Sequence, residues 1–237
     1  LDVRAKVTVP LNTWTHQCNT WGTKDGILKV YYNGTMVGSK YITSTPLTTG
    51  GYILLGHETS SYTDGEQFGG QLLNLNVFAK ELSAAEIAEL YDGGLCSDLE
   101  KKHQEARIVT WESILSESRN GNVQEVDDEC PATEEETEDE PESDEAHSIS
   151  ALEFGSTFSD YVKFYPDMSS AKHAITVCSW VRKQLSGDMR SWFDYVTTKN
   201  TVEFLISDNG WYNYIQNKLL DVRAKVTVPL NTWTHQC

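Results

Sequence analysis

The eighteen residues LDVRAKVTVPLNTWTHQC occur twice, at 1–18 and again at 220–237. The two copies match letter for letter, which chance does not produce, so the offset of 219 residues indicates an internal repeat. On this interpretation the chain is one full period plus the first part of the next copy, and both ends fall inside a folding unit. The alternative is a duplication or permutation scar introduced in the laboratory.

Acidic residues are concentrated in one segment. Residues 127–145, DDECPATEEETEDEPESDE, contain twelve acidic residues and neither Lys nor Arg, whereas the other residues carry only −4 of the net charge of −16. With almost no apolar surface, such a run cannot order itself, and its self-repulsion favours an extended chain. We expect residues 113–150 to be an acidic, largely disordered linker. The acidic run is then a plain spacer or, alternatively, a loose binding site for Ca²⁺ or other cations.

Composition and motifs exclude several classes of protein. A chain of 237 residues with 39% apolar residues is long enough for a sizeable core. No apolar run approaches the ~20 residues that span a bilayer, so we expect no membrane insertion. The acidic run would repel phosphate, which argues against nucleic acid as a partner. No GxSxG, P-loop or metal-binding helix motif is present, and Asp194, Glu203 and His173 have no catalytic spacing, so we expect no enzyme.

Short β-branched and aromatic runs with turn signals between them dominate the chain. In ILKVYYNGTMVGSKYI, two such runs flank Asn33-Gly34, a pair that tolerates the positive φ angles of a tight hairpin. In LLNLNVFA, apolar residues alternate with Asn74 and Asn76, which predicts one buried face and one polar face. The other predicted strands are VRAKVTV, GYILLG, RIVTWESIL, HAITVCSWVRK, SWFDYVTT, VEFLIS and WYNYI. The pattern predicts an all-β, two-sheet antiparallel sandwich.

One segment, LSAAEIAELYDGG, predicts a short α-helix near residues 83–92. Ser83 is a good N-cap, and Glu86 three residues later completes a capping box. Gly93 suits the left-handed conformation that ends many helices. The apolar face of this helix is formed by Ile87, Leu90 and Tyr91.

Read in the order 152–237 and then 19–111, the sequence resembles the pentraxin family. The family signature, His-x-Cys-x-Ser/Thr-Trp, is matched by HQCNTW, which supplies His16, Cys18, Thr20 and Trp21. AITVCSW resembles the strand of the first cysteine and YYNGTMVGSK the central hairpin, while ILLGHE, GGQLLNLNVF, LSAAEIAELYDGG and IVTW follow in the family's order. The resemblance implies a pentraxin- or concanavalin-like jelly roll with one short helix on a face.

The resemblance also divides the chain into domains. It implies that residues 1–112 are the C-terminal part of a pentraxin-like domain. Residues 151–237 are then the N-terminal part of the next domain, or of the same domain in permuted order. The sequence does not decide between these two arrangements.

Cysteine usage suggests an extracellular protein. Cys237 is the second copy of Cys18, so one period holds four of the five cysteines, enough for two disulfides in an oxidising compartment. The family's disulfide joins the strands that here carry Cys178 and the Cys18 or Cys237 position. The resemblance therefore implies Cys178–Cys237 in family order, or Cys178–Cys18 in a permuted domain. Cys96–Cys130 remains as the second bond, closing a loop at the base of the linker.

Pentraxins bind ligands through Ca²⁺, which is held by oxygens from two loops. The resemblance places one loop in HETSSYTDGEQFGG, where the candidate ligands are Glu58, Asp64 and Glu66. Ser60 stands where the family has an aspartate, and Thr201-Val202 replaces an Asp-Asn pair in the second loop. Because Ca²⁺ takes about six to eight oxygens, these departures predict a weakened site. The alternative is that the three carboxylates are simply solvated.

Two other residues are singled out by their motifs. Asn33 begins Asn-Gly-Thr, an N-glycosylation sequon suited to an exposed turn, although the turn itself also favours asparagine there. The signature histidine, present as His16 and His235, is expected to pack beside the disulfide rather than to act as a base.

Two functions are consistent with these observations. The favoured hypothesis is an extracellular structural protein in which tandem pentraxin-like domains, with copies of themselves as partners, assemble head to tail into a polymer or filament. The alternative, implied by the resemblance, is a secreted, lectin-like recognition protein of the innate-immunity type. It would bind a carbohydrate or phosphate-bearing ligand with the help of Ca²⁺.

Overall fold

A computed structural model describes residues 9–59, 67–95, 103–129, 148–185, 190–197, 202–207, 212–216 and 218–221. Within these ranges the strands are β1 (Trp14–Gly22), β2 (Ile27–Tyr32), β3 (Thr35–Tyr41), β4 (Gly51–Leu55), β5 (Gly69–Phe78), β6 (Arg107–Val109), β7 (Arg119–Asn120), β8 (Gln124–Glu129), β9 (Ser148–Gly155), β10 (Tyr161–Phe164), β11 (Ala174–Lys183), β12 (Ser191–Thr197), β13 (Val202–Ser207), β14 (Tyr212–Ile215) and β15 (Lys218–Asp221). The helices are α1 (Ala84–Asp92), α2 (Trp111–Leu115) and two short 3₁₀ turns, Gln104–Ala106 and Ser169–Lys172.

The strands form two sheets that pack face to face. One has the order β3-β2-β1-β11-β5-β9-β8, with β6 also paired to β5, and the other has the order β15-β14-β13-β12-β4-β10-β7. The largest fully buried side chains include Trp21, Phe68, Phe154, Trp192, Phe193 and Tyr195. The all-β, two-sheet jelly-roll prediction is confirmed. Neither helix in the described part of the chain is long and apolar enough to cross a bilayer.

The two predicted domain parts interleave within one sandwich. In one sheet β11 lies between β1 and β5, and in the other β4 lies between β12 and β10. The pairing of β1 with β11 runs from Trp14 opposite Arg182 to Gly22 opposite Ala174. The early and late segments of the chain therefore contribute neighbouring strands to both sheets.

The repeated segment is divided between the two sheets. Residues 220–221, which open the second copy, lie in β15 and pair with Tyr212 and Asn213 of β14. The end of the first copy, which includes Cys18, lies in β1. Residues 1–8 and 222–237 lie outside the described residues, and both copies of the predicted strand VRAKVTV fall there except for Val9 of the first copy.

The expected linker at 113–150 is wrong at both of its ends. Residues 124–129 form β8, which pairs with β9 from Gln124 opposite Glu153 to Glu129 opposite Ser148. These acidic residues can enter a strand because β8 lies at the edge of its sheet, where one side of the strand stays solvated. Residues 130–147, which hold most of the acidic run, lie outside the described residues.

The locally encoded elements form as predicted, with one shift. Asn33 and Gly34 adopt φ angles of 45° and 73° between β2 and β3, as a tight hairpin requires. The capping box of α1 is present, with the Ser83 side chain accepting from the backbone N–H of Glu86. The left-handed residue after the helix is Gly94 (φ 79°) rather than Gly93, because the Gly93 N–H still donates to a helical carbonyl.

Two expectations about individual strands are wrong. The polar face of β5 is buried, with Asn74 and Asn76 only 8% and 3% exposed. The side-chain amide of Asn74 donates to the carbonyl of Leu95, so the segment after α1 covers this face. The predicted strand RIVTWESIL ends at Val109, because Thr110 caps α2 and starts a helical turn.

Candidate functional site

Asp194 is a buried acid in the middle of β12, where it lies opposite Leu54 of β4. Its side chain is 0% exposed. Thr59, just after β4, donates its backbone N–H and its hydroxyl to Oδ2 of Asp194 at 3.0 and 2.9 Å. The second oxygen, Oδ1, is also buried and has no hydrogen-bond partner among the described residues. The site is thus a carboxyl group with one satisfied oxygen and one unsatisfied oxygen.

The electrostatics of Asp194 follow from this geometry. Burial raises its pKa to about 7, and the negative charge of nearby Glu58 acts in the same direction, against the two donors of Thr59. Two carboxylates at a buried position repel each other unless a proton or a cation joins them. A strongly perturbed acid beside a cleft is a common property of functional sites.

A cleft of about 310 Å³ is lined by Glu58 and by Thr59, the hydrogen-bond partner of the buried Asp194. Its walls include the rings of Tyr52, His57, Phe158 and Tyr161, together with Lys163, Glu58 and Thr59. The His57 ring packs edge-on against Tyr161, with centroids 5.4 Å apart, and this contact fixes one wall. β4 and β10, which carry Tyr52, Tyr161 and Lys163, are neighbouring strands in the same sheet.

Of the three predicted calcium ligands, Glu58 lies at this site. Asp64 and Glu66, and also Ser60 and Thr201, lie outside the described residues. The sequence analysis considered Asp194 only as a catalytic acid and did not place it at this site. It is nevertheless the one charged residue in the apolar run SWFDYV, a signal that points to a special environment. The carboxylates of Asp194 and Glu58 fit Ca²⁺ chemically, since Ca²⁺ selects oxygen ligands and Oδ1 of Asp194 lacks a partner.

The signature histidine packs beside the disulfide. Cys18 and Cys178, opposite each other on β1 and β11, form a disulfide with a Cα–Cα distance of 4.2 Å. His16 lies 3.6 Å from the Cys18 sulfur and packs against the rings of Tyr91 and Trp180. Burial lowers the pKa of His16 to about 4, so the ring is neutral at physiological pH.

Of the two predicted pairings of Cys178, the structure has the one with Cys18 and not the one with Cys237. The other predicted bond joins Cys96 and Cys130, which lie outside the described residues. Within the described ranges, one group of three metal-ligating side chains comes together, namely His16, Cys18 and Cys178. Its sulfurs are joined in the disulfide and so are not thiolate ligands.

Asn33 lies exposed at the tip of the hairpin. Its side-chain oxygen accepts the backbone N–H of His16 at 2.9 Å, and its own backbone N–H donates to the His16 carbonyl. The side-chain nitrogen, which is the atom that a glycan modifies, is not used in this pair of bonds. The turn role and the sequon role of Asn33 are therefore compatible.

Comparison with known proteins gives partial matches. A model of the Concanavalin A-like lectin/glucanases superfamily, Laminin_G_3, matches residues 2–88. The Pentraxin fusion protein of Xenopus laevis is 31% identical over 118 residues, covering 48% of this chain and 26% of that protein. Human Neuronal pentraxin-1 is 29% identical over 118 residues (46% and 26%), and human Pentraxin-related protein PTX3 is 29% identical over 115 residues (45% and 29%). The match thus spans little more than a quarter of each relative's length, and no solved structure matches the chain significantly.

Proposed function

The chain contains a pentraxin-like domain of the concanavalin-like jelly-roll type, and we propose that it is an extracellular recognition module. In this proposal a divalent cation, Ca²⁺ by the chemistry of the ligands, is held at Asp194 and Glu58. A carbohydrate or phosphate-bearing ligand binds in the adjoining cleft. The disulfide between Cys18 and Cys178 supports the extracellular setting, because such bonds persist in oxidising compartments.

One observation carries the proposal: Oδ1 of the buried Asp194 has no partner among the described residues. An unpaired buried carboxylate oxygen is costly, and folded proteins keep such groups mainly where a function uses them. Glu58 supplies a second carboxylate beside it, so a bound cation would remove the repulsion between the two. When bound, the cation would supply a fixed positive charge that attracts ligand oxygens.

The test is calorimetric titration of the full chain with Ca²⁺, for the wild type and for the variants Asp194→Asn and Glu58→Gln. We expect each variant to bind the tightest ion at least about tenfold more weakly, because it removes one charged ligand. Glu105→Gln, which removes an exposed carboxylate elsewhere, is the matched control. Unchanged tight binding in Asp194→Asn would show that the cation, if any, lies elsewhere.

One observation favours a second function, head-to-tail assembly: the end of the first copy of the repeat lies in β1, and the start of the second copy lies in β15. Because the two copies are identical, either can supply the first five residues of the strand beside β11, and an unused copy fits the same place in a neighbouring domain. Only one of Cys18 and Cys237 can bond to Cys178 at a time, so the disulfide reports which copy is used.

Non-reducing tryptic mapping tests assembly directly. The two copies give different peptides, 7–24 for Cys18 and 226–237 for Cys237, and Cys178 lies in 173–182. In isolated monomers we expect 7–24 linked to 173–182. In any larger species we expect 226–237 linked to 173–182 of another chain. A chain that stays monomeric at high concentration, with only the first linkage, would argue against assembly.

A further inference from the structure

We propose that the tyrosine–lysine surface formed by Tyr52, Tyr161, Lys163 and Tyr165 binds a sugar ring that carries a carboxylate. This inference rests on the proposed function, because the surface includes walls of the same cleft, and it names the class of ligand. The acidic sugar would place its carboxylate on Lys163 and its hydroxyls toward Glu58.

The strand register brings these four side chains together. Lys163 on β10 lies opposite Leu54 on β4, and Tyr52 lies two residues before Leu54 on the same face. Tyr161, Lys163 and Tyr165 alternate along the chain and therefore share a face. The Lys163 ammonium lies 3.9 Å from the centroid of the Tyr52 ring and 5.5 Å from that of Tyr165. The centroids of the two rings are 5.8 Å apart, so the rings contact each other and the ammonium lies against both.

The positive charge of Lys163 is positioned but not neutralised. In the described ranges Lys163 forms no ion pair, even though Glu58 lines the same cleft, whereas Lys29, Lys80, Arg119 and Arg182 all pair with carboxylates. Contact with aromatic faces stabilises a cation without cancelling its charge. A fixed ammonium on a chain of net charge −16 is thus a local attraction for an anionic group.

The surroundings of this charge suit a sugar better than a purely apolar ligand. Tyrosine rings offer apolar faces to the C–H side of a pyranose, and their hydroxyls can donate or accept. None of the hydroxyls of Tyr52, Tyr161 and Tyr165 has a hydrogen-bond partner within the described part of the chain, and Tyr165 is 72% exposed. The volume of about 310 Å³ is at the low end for ligand sites, which fits one or two sugar rings.

The experiment compares D-glucuronate with D-glucose, titrated into the full chain with calorimetric or ligand-observed NMR detection, in EDTA and in Ca²⁺. We expect glucuronate to bind at least about tenfold more tightly than glucose, a typical effect of one well-placed charged hydrogen bond. Lys163→Met, which keeps the apolar stem, should abolish this difference and leave glucose binding unchanged. Lys163→Arg should restore most of it.

Lys40→Met is the matched control, because it removes an exposed lysine on β3 of the other sheet. Equal binding of the two sugars by the wild type would overturn the proposal, and so would an equal loss in Lys163→Met and Lys40→Met. Cation binding is measured separately, without sugar. If the wild type binds Ca²⁺ but shows no preference for glucuronate over glucose, the acidic-sugar assignment is therefore rejected and the cation site stands.

Discussion

Thr59 gives both of its donors, the backbone N–H and the hydroxyl, to one carboxylate oxygen of Asp194. Asp160 shows the opposite arrangement, since its two oxygens accept the backbone N–H groups of Asn122 and Thr157 at 2.7 and 2.9 Å. Burial acts to raise the pKa of Asp160, but these donors outweigh it and hold that pKa below its usual value. Two fully buried aspartates in one domain thus differ in whether the fold satisfies both of their oxygens.

Replacing Asp194 by asparagine should stabilise the metal-free protein. The raised pKa of Asp194 means that the folded state loses stability as the pH rises from about 4 to about 7, while the unfolded chain ionises freely. Asp194→Asn removes this loss, so we expect a gain on the order of a few kcal/mol at about pH 8 and little change at about pH 4.

Urea unfolding in EDTA at the two pH values measures this difference. Asp160→Asn is the matched control and should destabilise the protein at about pH 8, because its carboxylate is fully hydrogen-bonded. If Asp194→Asn is no more stable than the wild type at that pH, the buried carboxylate does not destabilise the metal-free protein. The argument for a cation site is then weaker.

His16 should make the domain sensitive to acid. The folded state keeps His16 neutral down to about pH 4, whereas the unfolded chain takes up a proton below about pH 6.5. Stability is therefore lost as the pH falls through this window, by up to about 3 kcal/mol. In His16→Gln the free energy of unfolding should depend less steeply on pH in this window, even if the substitution lowers stability at every pH. The measurement is best made in an Asp194→Asn background, which removes the opposing titration, and the exposed His173→Gln serves as control.

The sequence predicted those structural elements that depend on only a few consecutive residues. The hairpin at Asn33-Gly34 and the capping box of Ser83 and Glu86 depend on a few consecutive residues, and both formed as predicted. The buried face of Asn74 could not be predicted, because the segment that covers it lies some twenty residues away in sequence. The place of Asp194 at the site was missed for the same reason: its partner, Thr59, is 135 residues distant, and the meaning of a lone acid in a strand depends on that partner.

The disulfide between Cys178 and Cys18, the cysteine in the first copy of the repeat, should contribute strongly to stability. Cys18 and Cys178 are separated by 160 residues, and a bond that closes such a long loop restricts the unfolded chain substantially. We expect Cys178→Ala to cost about 2–5 kcal/mol in urea unfolding and Cys237→Ala to cost almost nothing in the monomer. A comparable loss in Cys237→Ala would show that the second copy supplies the strand beside β11.

The acidic run should be a spacer. It joins β8 to β9, two strands that already pair with each other up to Glu129 opposite Ser148. Replacing residues 131–146 with a four-residue turn should raise stability by about 1 kcal/mol, because closing a shorter loop costs less entropy. Tight Ca²⁺ binding should be unchanged. A Gly/Ser replacement of equal length separates length from charge, and the loss of tight binding in both variants would instead make the run itself the cation site.

The interleaving of the strands also governs how a newly made chain can fold. β1 and β5 are translated before β11, the strand that pairs with both of them. Similarly, β4 is translated before its two neighbours, β10 and β12. Until the later strands have been translated, β1, β4 and β5 therefore have unpaired edges. Unpaired strand edges promote aggregation. Cys18 cannot form its bond with Cys178 until Cys178 has been made. We therefore expect the yield of folded protein to depend on chaperones and disulfide exchange during synthesis more than on the stability of the finished sandwich.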